Sequence, residues 1–178
     1  MIRYAQIREM DISNGIGIGV ALFVQGCHFH CKNCFNQETW NPDGGKLWTE
    51  EIEDKFLKLI SKPYVERCSF LGGEPLEAYN INAVLNIMKR IKKMFPTKKI
   101  WLYSGYTYEE ISSNSKKAEI LNYCDILVDG RYVESLKDFA LHWAGSSNQR
   151  VIDVKKSIFF KQPVLFNKTS TRKIKLSR

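Results

Sequence analysis

Residues 26–40 read G-C-H-F-H-C-K-N-C-F-N-Q-E-T-W and hold three of the chain's five cysteines, Cys27, Cys31 and Cys34, in the order C-x3-C-x2-C. A structural zinc site takes four protein ligands, usually as two C-x2-C-type pairs separated by a longer loop. This loop offers three thiolates, and no second pair follows. A cubane iron–sulfur cluster is normally held by four thiolates, one per iron. Three thiolates leave one iron open to a substrate or cofactor, and the rest of the chain has to accommodate that open position.

The flanking sequence alternates strand and helix signals. Arg3–Arg8 and Val20–Gln25 are short apolar stretches suited to strands. N-G-I-G-I-G at 14–19 lacks the strand-before, helix-after context of a phosphate-binding loop and reads as a flexible turn. N-P-D-G-G at 41–45 breaks the chain after the cysteine loop. Thr49 can cap a helix with Ile52, Phe56, Leu59 and Ile60 on one face, and Pro63 stops it. Val65–Leu71 reads as a strand ending in Gly72 and Gly73. Asn80–Met94 follows as a helix with Ile81, Val84, Leu85, Met88 and Ile91 at helical period. Lys99–Tyr103 is the next strand, Tyr108–Leu121 the next helix, and Asp125–Val128 and Val151–Val154 are two more strands. This alternation predicts βαβ units and a parallel sheet. At 178 residues the chain is too short for a closed eightfold barrel of about 250 residues, so an open, partial barrel is expected. Ligand sites in parallel α/β folds lie at the carboxyl ends of strands. Cys27, Gly72 and Ser104 each follow a predicted strand, so three separate motifs fall on one edge of the sheet.

Hydrophobic content of 44% and charged content of 26% suit one globular domain with a sizeable core. No apolar run approaches the roughly 20 residues of a membrane span, and the N-terminus lacks the apolar region of a secretory signal. An odd number of cysteines, three of them clustered, is not a disulfide framework and fits a reducing cytoplasm. The net charge of +8 is uneven: residues 155–178 carry eight Lys or Arg and no acid, leaving 19 basic and 19 acidic residues before them. The chain thus divides into a neutral domain, 1–154, and a basic C-terminal tail, 155–178. Such a run suits a solvated, partly disordered end or docking onto an acidic partner, and to a lesser degree nucleic acid.

The C-x3-C-x2-C loop closely resembles that of the radical S-adenosylmethionine enzymes. L-G-G-E-P at 71–75 looks like that superfamily's G-G-E segment. W-L-Y-S-G-Y at 101–106, V-D-G-R-Y at 128–132 and G-S-S-N-Q-R at 145–150 resemble the activating proteins of anaerobic (class III) ribonucleotide reductases. The likeness runs from about Arg3 to Asp153. It implies an open partial (β/α) barrel in which Cys27, Cys31 and Cys34 hold a [4Fe–4S] cluster and the fourth iron chelates S-adenosylmethionine. Gly72, Gly73 and Glu74 would receive the methionine amino group, the glycines by close backbone approach and Glu74 by a charge-assisted hydrogen bond. Asn33, Cys34, Phe35 and Ser104 complete the implied cofactor contacts, with Phe35 against the adenine. The implied reaction is reductive cleavage of S-adenosylmethionine to a 5′-deoxyadenosyl radical, which takes hydrogen from a backbone glycine of anaerobic ribonucleoside-triphosphate reductase. A low-potential donor such as flavodoxin or ferredoxin would supply the electron. The chain departs from the family's usual N-G-P-G-x-R at 14–19: Ile16 stands in place of proline and Gly19 in place of arginine.

Outside these motifs, Cys68 and Cys124 read as small buried hydrophobes, and His28 and His30 as neighbours of the cluster sulfurs or as packing residues. Two other functional readings stay open. One is a different radical enzyme, either a pyruvate formate-lyase-type activase or one acting on a small molecule. The other is a zinc or nucleic-acid-binding module. The short chain, with its wide open face, favours a protein substrate.

Overall fold

The computed structural model describes residues 2–167. Among them, seven strands form one open sheet: β1 Arg3–Asp11, β2 Gly19–Val24, β3 Lys46–Leu47, β4 Arg67–Gly72, β5 Lys99–Tyr103, β6 Ile126–Asp129 and β7 Arg150–Asp153. Their order across the sheet is β3-β1-β2-β4-β5-β6-β7. The helices are α1 Glu50–Ile60, α2 Ile81–Met94, α3 Tyr108–Ser113, α4 Ser115–Leu121 and α5 Val154–Phe160.

The four central strands, β2, β4, β5 and β6, pair in parallel as the alternation predicts. The outer pairings differ: β1 runs antiparallel to β2, and β7 antiparallel to β6. Residues 12–18 are too few for the crossover a parallel neighbour needs, so β1 and β2 close as a hairpin-like pair. The single helix expected over Tyr108–Leu121 is two. Asn114 leaves the helical conformation, and its side chain accepts from the backbone N–H groups of Lys116 and Lys117, capping α4. Ser112 and Ser113 donate to backbone carbonyls one turn back. Such local side-chain bonds compete with helix propagation, and three of these residues in a row end α3.

One face of the sheet carries Val20, Leu22, Val24, Cys68, Phe70, Ile100, Leu102 and Leu127, packed against α1, α2, α3 and α4 in the main core. On the other face stand Ala21, Phe23 and Leu71, then Trp101, Ile126 and Val128. Loops cover this second face: Ile16, Trp143, Ala144 and Phe166 pack against it. Part of this face opens onto a cavity, lined by Phe23, Leu71, Tyr103 and Val128 among others.

The 14–19 loop, expected to be a flexible turn, is pinned. Arg67 is 0% exposed and donates to the carbonyls of Ile16 and Asp11, to the Asp11 carboxylate at 2.8 Å and to Ser69 Oγ. Ser69 in turn donates to the carbonyl of Asn14. A Cβ at Gly19 would lie 2.7 Å from Arg67 Cγ, so the guanidinium fills the space beside the residue that replaces the family's arginine.

The basic run does not leave the fold at residue 155. The chain forms α5, capped by Asp153, then returns along β7, where Asp153 N–H donates to Val164 and Phe166 N–H to Val151. Residues 168–178, with the rest of the basic run, lie outside the described residues.

Candidate functional site

The cysteine loop leaves β2 at Gln25 and is held by backbone bonds. Gly26 N–H donates to Thr39 and Cys27 N–H to Trp40, which closes the loop on itself, and Cys34 N–H donates to Cys31. His30 and Asn33 take left-handed conformations, φ +44° and +56°, which wind the three cysteines into a tight turn. Glu74 N–H donates to Gly26 at 2.7 Å, tying the loop to the end of β4. A Cβ at Gly73 would collide with the carbonyl of Gly26, so glycine there lets the two loops meet backbone to backbone. Glycine at 73 is thus required by the protein's own loop.

Cys27, Cys31, Cys34, Phe35, Gly72, Gly73, Glu74 and Ser104 line one cavity of about 540 Å³ at the carboxyl ends of the parallel strands. Asn33, by contrast, is exposed and does not line it. Cys68 and Cys124 are buried in the main core on the helical side, and burial pushes both thiols far up.

Glu74 is 1% exposed. Its carboxylate accepts from Leu76 N–H at 2.8 Å, Ser104 Oγ at 2.9 Å and Gly105 N–H at 2.8 Å, joining the ends of β4 and β5. Burial outweighs these donors and pushes its pKa up to about 7. A cationic or strongly donating ligand group beside it would hold it ionised.

Several contacts at the site join residues far apart in sequence. Glu77 accepts from His28 N–H at 3.1 Å and pairs with the His28 ring, anchoring the loop between the first two cysteines. Phe29 packs on Tyr106 and under the Arg131 guanidinium, and Phe35 packs on Tyr132. The G-S-S-N-Q-R segment braces the D-G-R-Y loop. Gln149 donates to the carbonyl of Gly130 and accepts from Gly145 and Ser146, while Asn148 donates to the carbonyl of Arg131. Arg150 bridges Asp129 and Glu109. Both motifs were visible in the sequence, but their mutual contacts needed the fold.

The donor set suits a cluster better than a single ion. Among the described residues no three Cys, His, Asp or Glu side chains converge as ligands of one ion do. A cubane spreads its thiolates over separate irons. Burial also raises Cys27 to about 11 and lifts Cys31 above its ordinary value. A strongly cationic centre bound there would displace their protons.

A family model described as "4Fe-4S single cluster domain" matches residues 13–152. This is the class that the cysteine loop and the open α/β sheet define. Three curated relatives carry the name anaerobic ribonucleoside-triphosphate reductase-activating protein. The one from Vibrio cholerae is 39% identical over 150 residues, 83% of this chain and 96% of the relative. That of Enterobacteria phage T4 is 38% identical over 84% of this chain and 93% of its own length. That of Escherichia coli K12 is 36% identical over 84% and 97%. The chain belongs to the family of anaerobic ribonucleoside-triphosphate reductase-activating proteins. Among the described residues no helix is long and apolar enough to cross a membrane.

Proposed function

We propose that this protein is a radical S-adenosylmethionine activase that generates a glycyl radical on an anaerobic ribonucleoside-triphosphate reductase. The observation that carries the reading is the meeting of Cys27, Cys31, Cys34, Gly72, Gly73 and Glu74 in one cavity, in a chain whose relatives bear the activase name. Cys27, Cys31 and Cys34 would hold a [4Fe–4S] cluster and leave one iron for S-adenosylmethionine. Together these groups, when bound, supply a hydrogen-abstracting radical by one-electron cleavage of the sulfur–C5′ bond.

The chain's own residues bind and shield. Glu74 accepts the amino group of the ligand beside the backbone of Gly72 and Gly73, and Ser104 fixes the carboxylate that does so. Phe29 and Phe35 flank the cysteines and exclude water. The fold is read as a partial (β/α) barrel of the radical S-adenosylmethionine type, continued past residue 154 by the segment that returns to the sheet edge, with the rest of the basic run after it. Its open side suits a glycine presented on an extruded loop of a large partner. The electron comes from a low-potential carrier such as flavodoxin or ferredoxin, in the cytoplasm.

The test is anaerobic reconstitution with iron counting, followed by mixing with the reductase, S-adenosylmethionine and a reductant. Wild-type protein is expected to bind about four irons, one cubane, and to give a glycyl-radical paramagnetic resonance signal. Cys27→Ala, Cys31→Ala and Cys34→Ala should each lose both, while Cys68→Ala and Cys124→Ala keep the cluster. A cluster that survives Cys31→Ala would sink the ligand assignment.

A further inference from the structure

The segment after β7 lies past the family-matched region, which ends at residue 152. It nevertheless reaches the inner face of the sheet. Phe166 meets Trp101 edge to face at 5.9 Å and lies tilted against Trp143 at 6.2 Å, and those two tryptophans meet edge to face at 5.1 Å. Trp101 is buried on β5 and faces inward, two residues before Tyr103. Trp143 belongs to the loop that walls the cavity, together with Leu141 and Ala144. Phe166 therefore packs against a side chain that forms part of the wall.

Trp143 needs that support. It holds φ +63°, a left-handed conformation that a bulky side chain rarely adopts unless its surroundings over-determine it. Trp101 and Phe166 both pack against the indole. Phe166 is itself held in place by backbone: its N–H donates to Val151 at 2.8 Å, and Ile152 bridges Leu165. The return strand thus converts pairing at the sheet edge into a fixed position for the cavity wall.

We infer that Phe166 is a positioning residue for the cavity, setting the Trp143 wall that S-adenosylmethionine and the substrate glycine must pass. The segment from residue 154 to 166 is then part of the site and not an inert end. The inference rests on the proposed activase function for the identity of the ligand, but the wall itself can be probed without ligand.

The full-length chain is compared with Phe166→Ala, Phe166→Leu and, as a control on the same segment, Phe159→Ala, whose ring is 79% exposed. Two measurements are made under anaerobic conditions. Acrylamide quenching of tryptophan fluorescence in the cluster-free protein, measured in a Trp40→Phe, Trp48→Phe background, reads access to Trp101 and Trp143. Equilibrium dialysis with the reconstituted protein reads the dissociation constant for S-adenosylmethionine. Phe166→Ala is expected to raise quenching and to weaken binding roughly 2- to 30-fold, the range for residues that act through a packed neighbour. Phe166→Leu should restore most of both, and Phe159→Ala should change neither. Unchanged binding in Phe166→Ala overturns the inference, even with raised quenching, because Phe166 would then only cover the sheet. If Phe166→Ala does not fold, Phe166→Val, which removes more of the ring's volume than leucine, decides by the same two readings, and wild-type binding in it overturns the inference. Wild-type protein that binds no S-adenosylmethionine would instead refute the proposed function.

Discussion

Replacing Glu74 by Gln separates two roles that the structure gives one carboxylate. As a structural knot, Glu74 accepts three donors from Leu76, Ser104 and Gly105. Alanine would leave all three unmet in a buried place, at about 1–3 kcal/mol each, so Glu74→Ala tests folding more than binding. Glutamine keeps one oxygen for Leu76 and Ser104 and sets its NH2 group against the Gly105 N–H, losing one bond of about 1–3 kcal/mol. It also removes a buried charge. With the folded pKa raised from an ordinary 4.5 to about 7, ionising Glu74 in the empty protein costs on the order of 3 kcal/mol. The sign follows: this contribution to stability is fully present below pH 4.5 and is lost as pH rises through about 7. The two changes offset above neutrality, so Glu74→Gln should fold. Binding should respond differently. A charge-assisted hydrogen bond to the ligand amino group contributes about 1.5–3 kcal/mol, so Glu74→Gln should raise the dissociation constant for S-adenosylmethionine roughly 10- to 150-fold at pH 7. From pH 7 to pH 6 the ionised fraction of the wild-type carboxyl falls from about one half to about one tenth, and affinity should fall about five-fold with it. Glu74→Gln should bind with no such slope. Anaerobic calorimetric titration of both proteins at pH 6 and pH 7 decides. Wild-type affinity that is flat over this window, with Glu74→Gln within twofold, would remove Glu74 from the ligand contacts and leave it a structural knot alone.

Two further outcomes are expected. Asp11→Ala strips the carboxylate from a fully buried Arg67 and should lower unfolding free energy by about 3–5 kcal/mol; chemical denaturation showing a loss below about 1 kcal/mol would mean that water reaches the guanidinium. A chain ending at Asn167 keeps Phe166 but loses Lys168, Arg172, Lys173, Lys175 and Arg178. If these charges steer the encounter with an acidic reductase surface, glycyl-radical formation should slow at low salt, with the difference vanishing once exposed charges are screened over about 8 Å or less. Cleavage of S-adenosylmethionine without partner should be unchanged, and equal radical formation by both chains at low salt refutes steering.

The parts of this protein that were legible in its sequence are those where one residue type has one physical use. Three cysteines in eight residues can serve few purposes, and glycines after a strand mark close approach; both landed on the cavity at the strand ends. The periodicity of Ile81, Val84, Leu85, Met88 and Ile91 placed α2 within a residue, because burial against the sheet enforces it. What escaped was everything that depends on a partner distant in sequence. Asn33 reads as a ligand neighbour by its place in the loop, but its left-handed backbone leaves it exposed and off the cavity. Nothing local marks Glu77 as the acceptor for a histidine 49 positions away. Charge counting read residues 155–178 as a solvated end or a docking segment, yet Ser157 of α5 is buried and Phe166 lands on Trp101. Lysine and phenylalanine interleave there without a clear period, since Lys155 and Phe159 face outward while a neighbouring serine turns in. Periodicity fails in a seven-residue helix with two anchoring side chains. Such a segment is held by the sheet edge it pairs with, and that edge exists only once the fold has formed.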